Sequence, residues 1–236
     1  MRHESHPFNE AVPLNLGSYT ASEAARLLQT PRRNIRRWLN GYTYRRGGEI
    51  HQIPPLWRSQ LYMVDEHLEL GFRDLVELRF VKIFLDAGLG LLTIRNCLEY
   101  ARECVADDHP FSTQRFRTDG RTLFLESMGS DEDVQVLNLR KRQYEFRQII
   151  ERSFKDLDFE DGAVARWRPF HGKASIVLDP QRSFGQPVAA DFGVPTVVLA
   201  DAVAAEGSVE KAARLYEVPR SVVSDAADFE RSLSAA

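Results

Sequence analysis

PRRNIRRWL, Pro31–Leu39, puts four arginines and one proline around three apolar residues, and its phase decides the fold. At about 100° per residue, Ile35, Trp38 and Leu39 share one face of a helix. Arg33 and Arg37 then point nearly opposite, Arg36 and Asn40 flank that exposed face on one side and Asn34 on the other, and Arg32 lies nearer the packed edge. Upstream, YTASEAARLLQT (Tyr19–Thr30) predicts a first helix, with Thr20 or Ser22 as N-cap and Ala24, Ala25, Leu27 and Leu28 as its apolar stripe. Thr30 is expected to cap the second helix, with Pro31 at its first position. Two short helices joined by a tight turn, the second one basic, form a DNA-reading layout.

GYTYRRGGEI (Gly41–Ile50) follows directly. It predicts a hairpin turning at Gly47-Gly48, which after a recognition helix makes a wing. The predicted DNA-binding set is therefore Arg32, Arg33, Asn34, Arg36, Arg37, Asn40, Tyr42, Arg45 and Arg46. Arginine reads guanine and asparagine reads adenine in the major groove. Arg33 and Arg37 are the base-reading candidates, and the other helix residues hold phosphates, which fix register without reading sequence. Arg45 and Arg46 are placed to touch phosphate or a narrow minor groove. Tyr42 and Tyr44 either stack on the sugar-phosphate backbone or prop the hairpin.

The residues quoted so far resemble the MerR-type winged helix-turn-helix family, in whose pattern Arg33 and Arg36 occupy the usual basic positions of the recognition helix. The resemblance continues through GFRDLVELRFVKIFLDAGLGLLTIRNCLEYARE (Gly71–Glu103), which looks like the later helices of that family, with Asp86–Gly90 as the turn between them. IPPLW (Ile53–Trp57) is the connection from wing to body.

The overall charge of −3 hides a strong polarity. Residues 1–60 carry nine Arg against four Glu, a local +5, whereas the stretch from His171 carries six Lys and Arg against nine Asp and Glu, a local −3. An electrostatic footprint is local, so the basic module is the nucleic-acid candidate. The chain is long enough for a sizeable core. It has no apolar run able to span a bilayer and no apolar leader, so no membrane contact and a cytoplasmic protein are expected. Cys97 and Cys104, seven apart on one predicted helix, stand about 10 Å apart and cannot bridge each other. The six histidines show no metal-ligand spacing, and neither a phosphate loop nor a nucleophile elbow occurs; no cofactor, no metal and no enzymatic activity are expected.

Beyond the winged module, FRTDGRTLFLE (Phe116–Glu126) carries an Asp119-Gly120 hairpin signal. SMGSDED (Ser127–Asp133) predicts a loop and Leu139–Phe159 an amphipathic helix. GAVARWRPF and ASIVLDP predict strands. Ser208–Tyr216, turn, Arg220–Leu233 is a second helix pair. Its acidic second helix, with Asp225, Asp228 and Glu230, repels phosphate. The expected fold is α+β, mainly α with small β elements. It divides into a flexible lead-in 1–16, the winged domain 17–106, a middle hairpin and helix region 107–170 and a C-terminal helix-turn-helix-like domain 171–236.

The C-terminal stretch resembles the small helix-turn-helix domain of VapB-type antitoxins at Asp179-Pro180, Gly185, Pro187, Pro195, Gly207, Ala212, Ala213 and Tyr216. It departs from them at Asp191-Phe192-Gly193, where that family has Gly-Thr-Arg, so any role of that arginine does not carry over. With the MerR-like head, the whole chain looks like a long VapB-type antitoxin. The resemblance implies a DNA-binding antitoxin and autorepressor of a type II toxin–antitoxin pair. It further implies a PIN-domain ribonuclease as the toxin, bound directly, and double-stranded operator DNA as the second partner. Neutralisation would either offer an arginine to a metal-holding carboxylate cluster, with Arg182, Arg220 and Arg231 as candidates outside the winged module, or block access to it with a structured surface. A homodimer through the C-terminal domain would supply two half-sites. The alternative is a MerR-like transcriptional regulator responding to a small-molecule or stress signal.

Overall fold

The computed structural model describes residues 16–61, 68–128 and 148–234. The expected lead-in up to residue 15, the loop expected at 129–133 and the helix expected at 139–147 lie outside those residues. The architecture is mainly α with small antiparallel sheets. β1 (Tyr19–Thr20) leads into α1 (Ala21–Leu27) and α2 (Arg32–Asn40); β2 (Tyr42–Arg46) and β3 (Glu49–Ile53) form the wing. β4 (Glu69–Leu70) returns to pair with β1. α3 (Phe72–Asp86) and α4 (Leu91–Val105) follow, joined by a turn at Ala87–Gly90, within the Asp86–Gly90 stretch that the resemblance implies.

The hairpin expected at Phe116–Glu126 is a helix. α5 spans Gln114–Met128, which also makes Ser127 and Met128 helical rather than loop. The reason is packing. Phe116, Gly120, Leu123 and Phe124 are all buried, a helical repeat. Phe116 enters an aromatic cluster with Phe80, Phe111 and Phe154, at ring distances of 6.3, 4.7 and 6.3 Å. Thr113 Oγ1 accepts the Phe116 N–H at 3.1 Å and starts the helix. The Asp-Gly hairpin turn sits elsewhere. β5 (Leu157–Glu160) and β6 (Ala163–Trp167) are joined by Asp161-Gly162, both with positive φ (49° and 83°), the backbone a two-residue hairpin requires. The helix expected to run to Phe159 therefore stops early: α6 is helical over 148–154, and Leu157–Phe159 belong to β5.

β7 (Ile176–Leu178) and β8 (Pro187–Ala189) complete a four-stranded antiparallel sheet in the order β5-β6-β7-β8. α7 (Thr196–Glu206), α8 (Val209–Tyr216) and α9 (Arg220–Ser234) close the chain. α7 has no counterpart in the sequence reading. It is apolar on nearly every side, so it offers no amphipathic stripe to detect.

One buried cluster runs from Tyr19 in β1 through the phenylalanines of α3 and α5 to Phe229 and Leu233 of α9. A smaller one, around Leu199, Ala212, Val223 and Ala226, holds α7, α8 and α9 together. The C-terminal helices thus turn their apolar faces inward, and α9 also docks on α1. The buried Glu230 carboxylate pairs with Arg26 through Oε2 and accepts the Thr196 hydroxyl through Oε1. Gln29 donates to Ser232 O at 3.2 Å, and Tyr19 donates its hydroxyl to Gly185 O at 2.7 Å. A Cβ at Gly185 (φ 83°) would stand 2.2 Å from that hydroxyl, which leaves room only for glycine.

A fully buried carboxylate ties the body to the wing exit. Asp74 Oδ1 accepts the Trp57 indole N–H and faces His109 Nε2, each at 2.8 Å, which puts a proton on Nε2. Oδ2 accepts from Ser59 Oγ and from the N–H groups of Gln60 and Gly71, each at 2.9 Å. Burial would raise the Asp74 pKa, but the His109 contact and the backbone donors outweigh it and hold the carboxyl below its ordinary value. One turn along, Glu77 is also fully buried; burial pushes its pKa up to about 7. Its Oε1 accepts the Ser112 N–H at 2.8 Å, and its Oε2 has no partner among the described residues.

Candidate nucleic-acid interface

The reading head is assembled from its caps outward. Thr20, rather than Ser22, caps α1. Its Oγ1 accepts the Glu23 N–H at 3.2 Å, while Glu23 Oε2 accepts the Thr20 N–H at 2.7 Å. The turn passes through Gln29 (φ 49°). Pro31 then takes the N-cap position of α2, one residue later than expected, and its ψ of 133° lies outside the helical range. Pro31 supplies no side-chain cap, and no acidic residue occupies the first turn, so the positive end of the helix carries Arg32 and Arg33 without a counter-charge.

The burial of α2 follows the phase of the sequence. Ile35, Trp38 and Leu39 are buried, Arg32, Arg33, Arg36, Arg37 and Asn40 are exposed, and Asn34 is half-buried. At Gly41 (φ 68°) the chain turns so tightly that a Cβ would lie 2.3 Å from Ile53 O, the last carbonyl of the wing. The wing pairs Tyr42 with Ile53 and Arg46 with Glu49, and it turns at Gly47 and Gly48, both with positive φ.

Tyr42, Tyr44 and Arg46 alternate onto one side of β2, and Arg45 faces the other. The Arg37 guanidinium lies 3.9 Å from the centroid of the Tyr42 ring. Tyr44 stacks on His51 at 5.0 Å with 19° between the rings. Within the head, Tyr42 thus packs against Arg37 and Tyr44 against His51. His51 has no predicted role in the hairpin; the turn position places it opposite Tyr44.

The charge pattern separates the head from the rest of the chain. Several arginines elsewhere are tied to carboxylates: Arg73 to Asp107 at 2.8 Å, Arg79 to Asp156, Arg166 to Glu160 and Asp179, Arg168 to Asp158. Arg32, Arg33, Arg36, Arg45 and Arg46 have no ion pair among the described residues. The three outlying arginines are engaged. Arg182 donates to Ala190 O at 2.6 Å, Arg220 pairs with Glu210, and Arg231 approaches Asp228 at 3.2 Å with three quarters of its side chain exposed. Cys97 is buried and its thiol pKa is pushed up to about 12; Cys104 is half-buried and also free. No cluster of three or more potential metal ligands occurs among the described residues, and no helix there is long and apolar enough to cross a membrane.

The chain is 31% identical over 228 residues to a Mycobacterium tuberculosis (strain ATCC 25618 / H37Rv) protein named "Putative antitoxin VapB45", a match covering 92% of this chain and 93% of that one. The chain belongs to the VapB-type antitoxin family. The kinship spans both the basic head and the acidic C-terminal helices. No family profile matches the chain. The crystal structure of Rv2018 from Mycobacterium tuberculosis superposes with a TM-score of 0.70 at 25% identity, covering 92% of this chain and 98% of that one. At the point where this VapB-type chain departs from the short antitoxin pattern, Phe192 is 40% exposed beside α7.

Proposed function

We propose that this antitoxin binds the operator of its own operon through the α2–wing surface, represses it, and neutralises a PIN-domain ribonuclease toxin by direct contact. The observation that carries the DNA reading is that six exposed arginines of one small surface, Arg32, Arg33, Arg36, Arg37, Arg45 and Arg46, have no carboxylate counter-ion among the described residues. Keeping like charges that close together costs energy unless an outside polyanion meets them. Arg33 and Arg37 read bases in the major groove, Arg37 being held for the task by Tyr42. Arg32, Arg36, Arg45 and Arg46 meet phosphates, and Asn34 and Asn40 flank the groove. Two copies place two heads on two half-sites. The toxin reading rests on kinship with the VapB-type family, and the ribonuclease class on the sequence resemblance. On this reading the winged module is dispensable for neutralisation and needed for operator binding.

Fluorescence anisotropy with duplex from upstream of the operon, at several salt concentrations, tests the DNA half. Binding should be lost in steps as the arginines are removed, with a salt slope that shrinks by about one for each phosphate contact deleted. Co-expression with the neighbouring reading frame tests the toxin half: a stable complex and suppressed ribonuclease activity are expected. Absence of both, or absence of any nuclease beside the gene, would overturn it.

A further inference from the structure

The strap leaving the wing is gripped from the body side. β3 ends at Ile53, and Pro54 and Pro55 follow, two residues with fixed φ and no N–H. A single guanidinium takes both of their carbonyls. Arg95, just past the first turn of α4, donates from Nη1 to Pro55 O at 2.9 Å and from Nη2 to Pro54 O at 2.8 Å. Two turns on, along the same face of α4, Arg102 donates to Leu56 O at 3.2 Å. The Leu56 N–H in turn donates to Trp38 O, near the end of α2, at 2.7 Å. The strap is thereby tied to the recognition helix at one point and to α4 at three carbonyls.

We propose that Arg95, seconded by Arg102, is a positioning residue for DNA binding: its fork on Pro54 and Pro55 sets the angle of the wing against α2. The inference rests on the DNA reading above and adds to it which residue outside the head makes that reading possible. The geometry supports action through the wing rather than on DNA. Both terminal nitrogens of Arg95 are already occupied by carbonyls of the chain itself. The Pro-Pro strap is stiff, so a brace at its carbonyls is transmitted to Ile53 and hence to the whole hairpin, whose other end turns at the crowded Gly41. The planar fork is what spans two successive carbonyls; a lysine ammonium is a single point and reaches one of them. Without the brace, Arg45 and Arg46 would still be cationic but no longer held in register with Arg33 and Arg37.

The test uses the full-length protein and a random-sequence duplex at low salt, on which phosphate contacts dominate. Arg95→Ala and Arg95→Lys are made alone and together with Arg45→Ala/Arg46→Ala. Arg95→Ala should weaken binding about tenfold in the parent background, as expected for loss of charge-assisted hydrogen bonds that hold the wing. It should have almost no further effect once the wing arginines are gone, and Arg95→Lys should fall between. In the free protein, amide hydrogen exchange over residues 42–53 should quicken in Arg95→Ala, with α1 unchanged. An equal loss in both backgrounds, or unchanged exchange in the hairpin, overturns the positioning role. Were the parent protein to bind no duplex at all, the DNA reading would fall and the positioning role with it, while the exchange data would still show whether Arg95 braces the hairpin.

Discussion

Glu77→Gln gives the sharpest physical test of the core. Folded, the carboxyl titrates near 7; unfolded, it titrates near its ordinary 4.5. Below pH 4.5 both states hold the proton and the group contributes nothing. Between 4.5 and 7 the unfolded chain ionises while the folded chain does not, so stability falls as pH rises. Above 7 the deficit levels off at about 3 kcal/mol. Burial is the main cause, and the neighbouring charges of His109 and Arg73 and the Ser112 N–H only reduce it. Glutamine keeps a carbonyl for the Ser112 N–H, and its amide stands where Oε2 has no partner, at a pH-independent cost of about 1–3 kcal/mol. The informative quantity is therefore the pH dependence of the difference between variant and parent. Urea unfolding at pH 4.5 and at about pH 8 should show the variant gaining about 3 kcal/mol relative to the parent across that interval. Parallel pH profiles would refute the reasoning, because they would mean that Glu77 is ionised and solvated when folded.

Asp74→Ala strips the acceptor from Trp57, Ser59, His109 and the N–H groups of Gln60 and Gly71. It should cost about 3–5 kcal/mol in urea unfolding, and a loss below about 1 kcal/mol would remove Asp74 from the centre of the network. Arg33→Ala and Arg37→Ala should relax base preference by roughly 1–3 kcal/mol each in anisotropy, whereas Arg45→Ala or Arg46→Ala should weaken all sequences alike; unchanged affinity in the Arg33/Arg37 double variant would end the recognition-helix assignment. Gly185→Ala forces a Cβ against Tyr19 at positive φ and should lower stability by about 1–3 kcal/mol and quicken hydrogen exchange in α1; a silent substitution would mean that this contact does not hold the β7–β8 connection to the head. The Arg33/Arg37 double variant should still suppress the ribonuclease in co-expressing cells, and loss of suppression would place toxin contact on the DNA-reading surface.

The head was legible because its signals are local. The 3.6-residue phase of Ile35, Trp38 and Leu39, the cap at Thr20, one of the two hydroxyls the sequence offered, and the Gly-Gly turn each sit within one element and need no distant partner. The errors came where local signals conflict with packing. Asp119-Gly120 and Asp161-Gly162 are the same dipeptide; the first is absorbed into α5 because Phe116, Leu123 and Phe124 are drawn into the aromatic core, and the second makes the turn. α7 gave no period because it is apolar all round. The placement of Arg37 on Tyr42 and of Arg95 under the wing depends on side chains meeting across elements, which spacing alone does not encode.

The clamp between Arg26 and Glu230 joins residues 204 positions apart. At roughly 5–20 residues per second, a ribosome takes about 10–40 s to make the chain between them. For that interval α1 has been made but lacks its packing partner, with Tyr19 and Ala25 short of the surface that α9 and the Gly185 turn provide. The part of the protein synthesised first is thus among the last to be completed. A chain interrupted before α9 would present the arginines of α2 and the wing on an unfinished support.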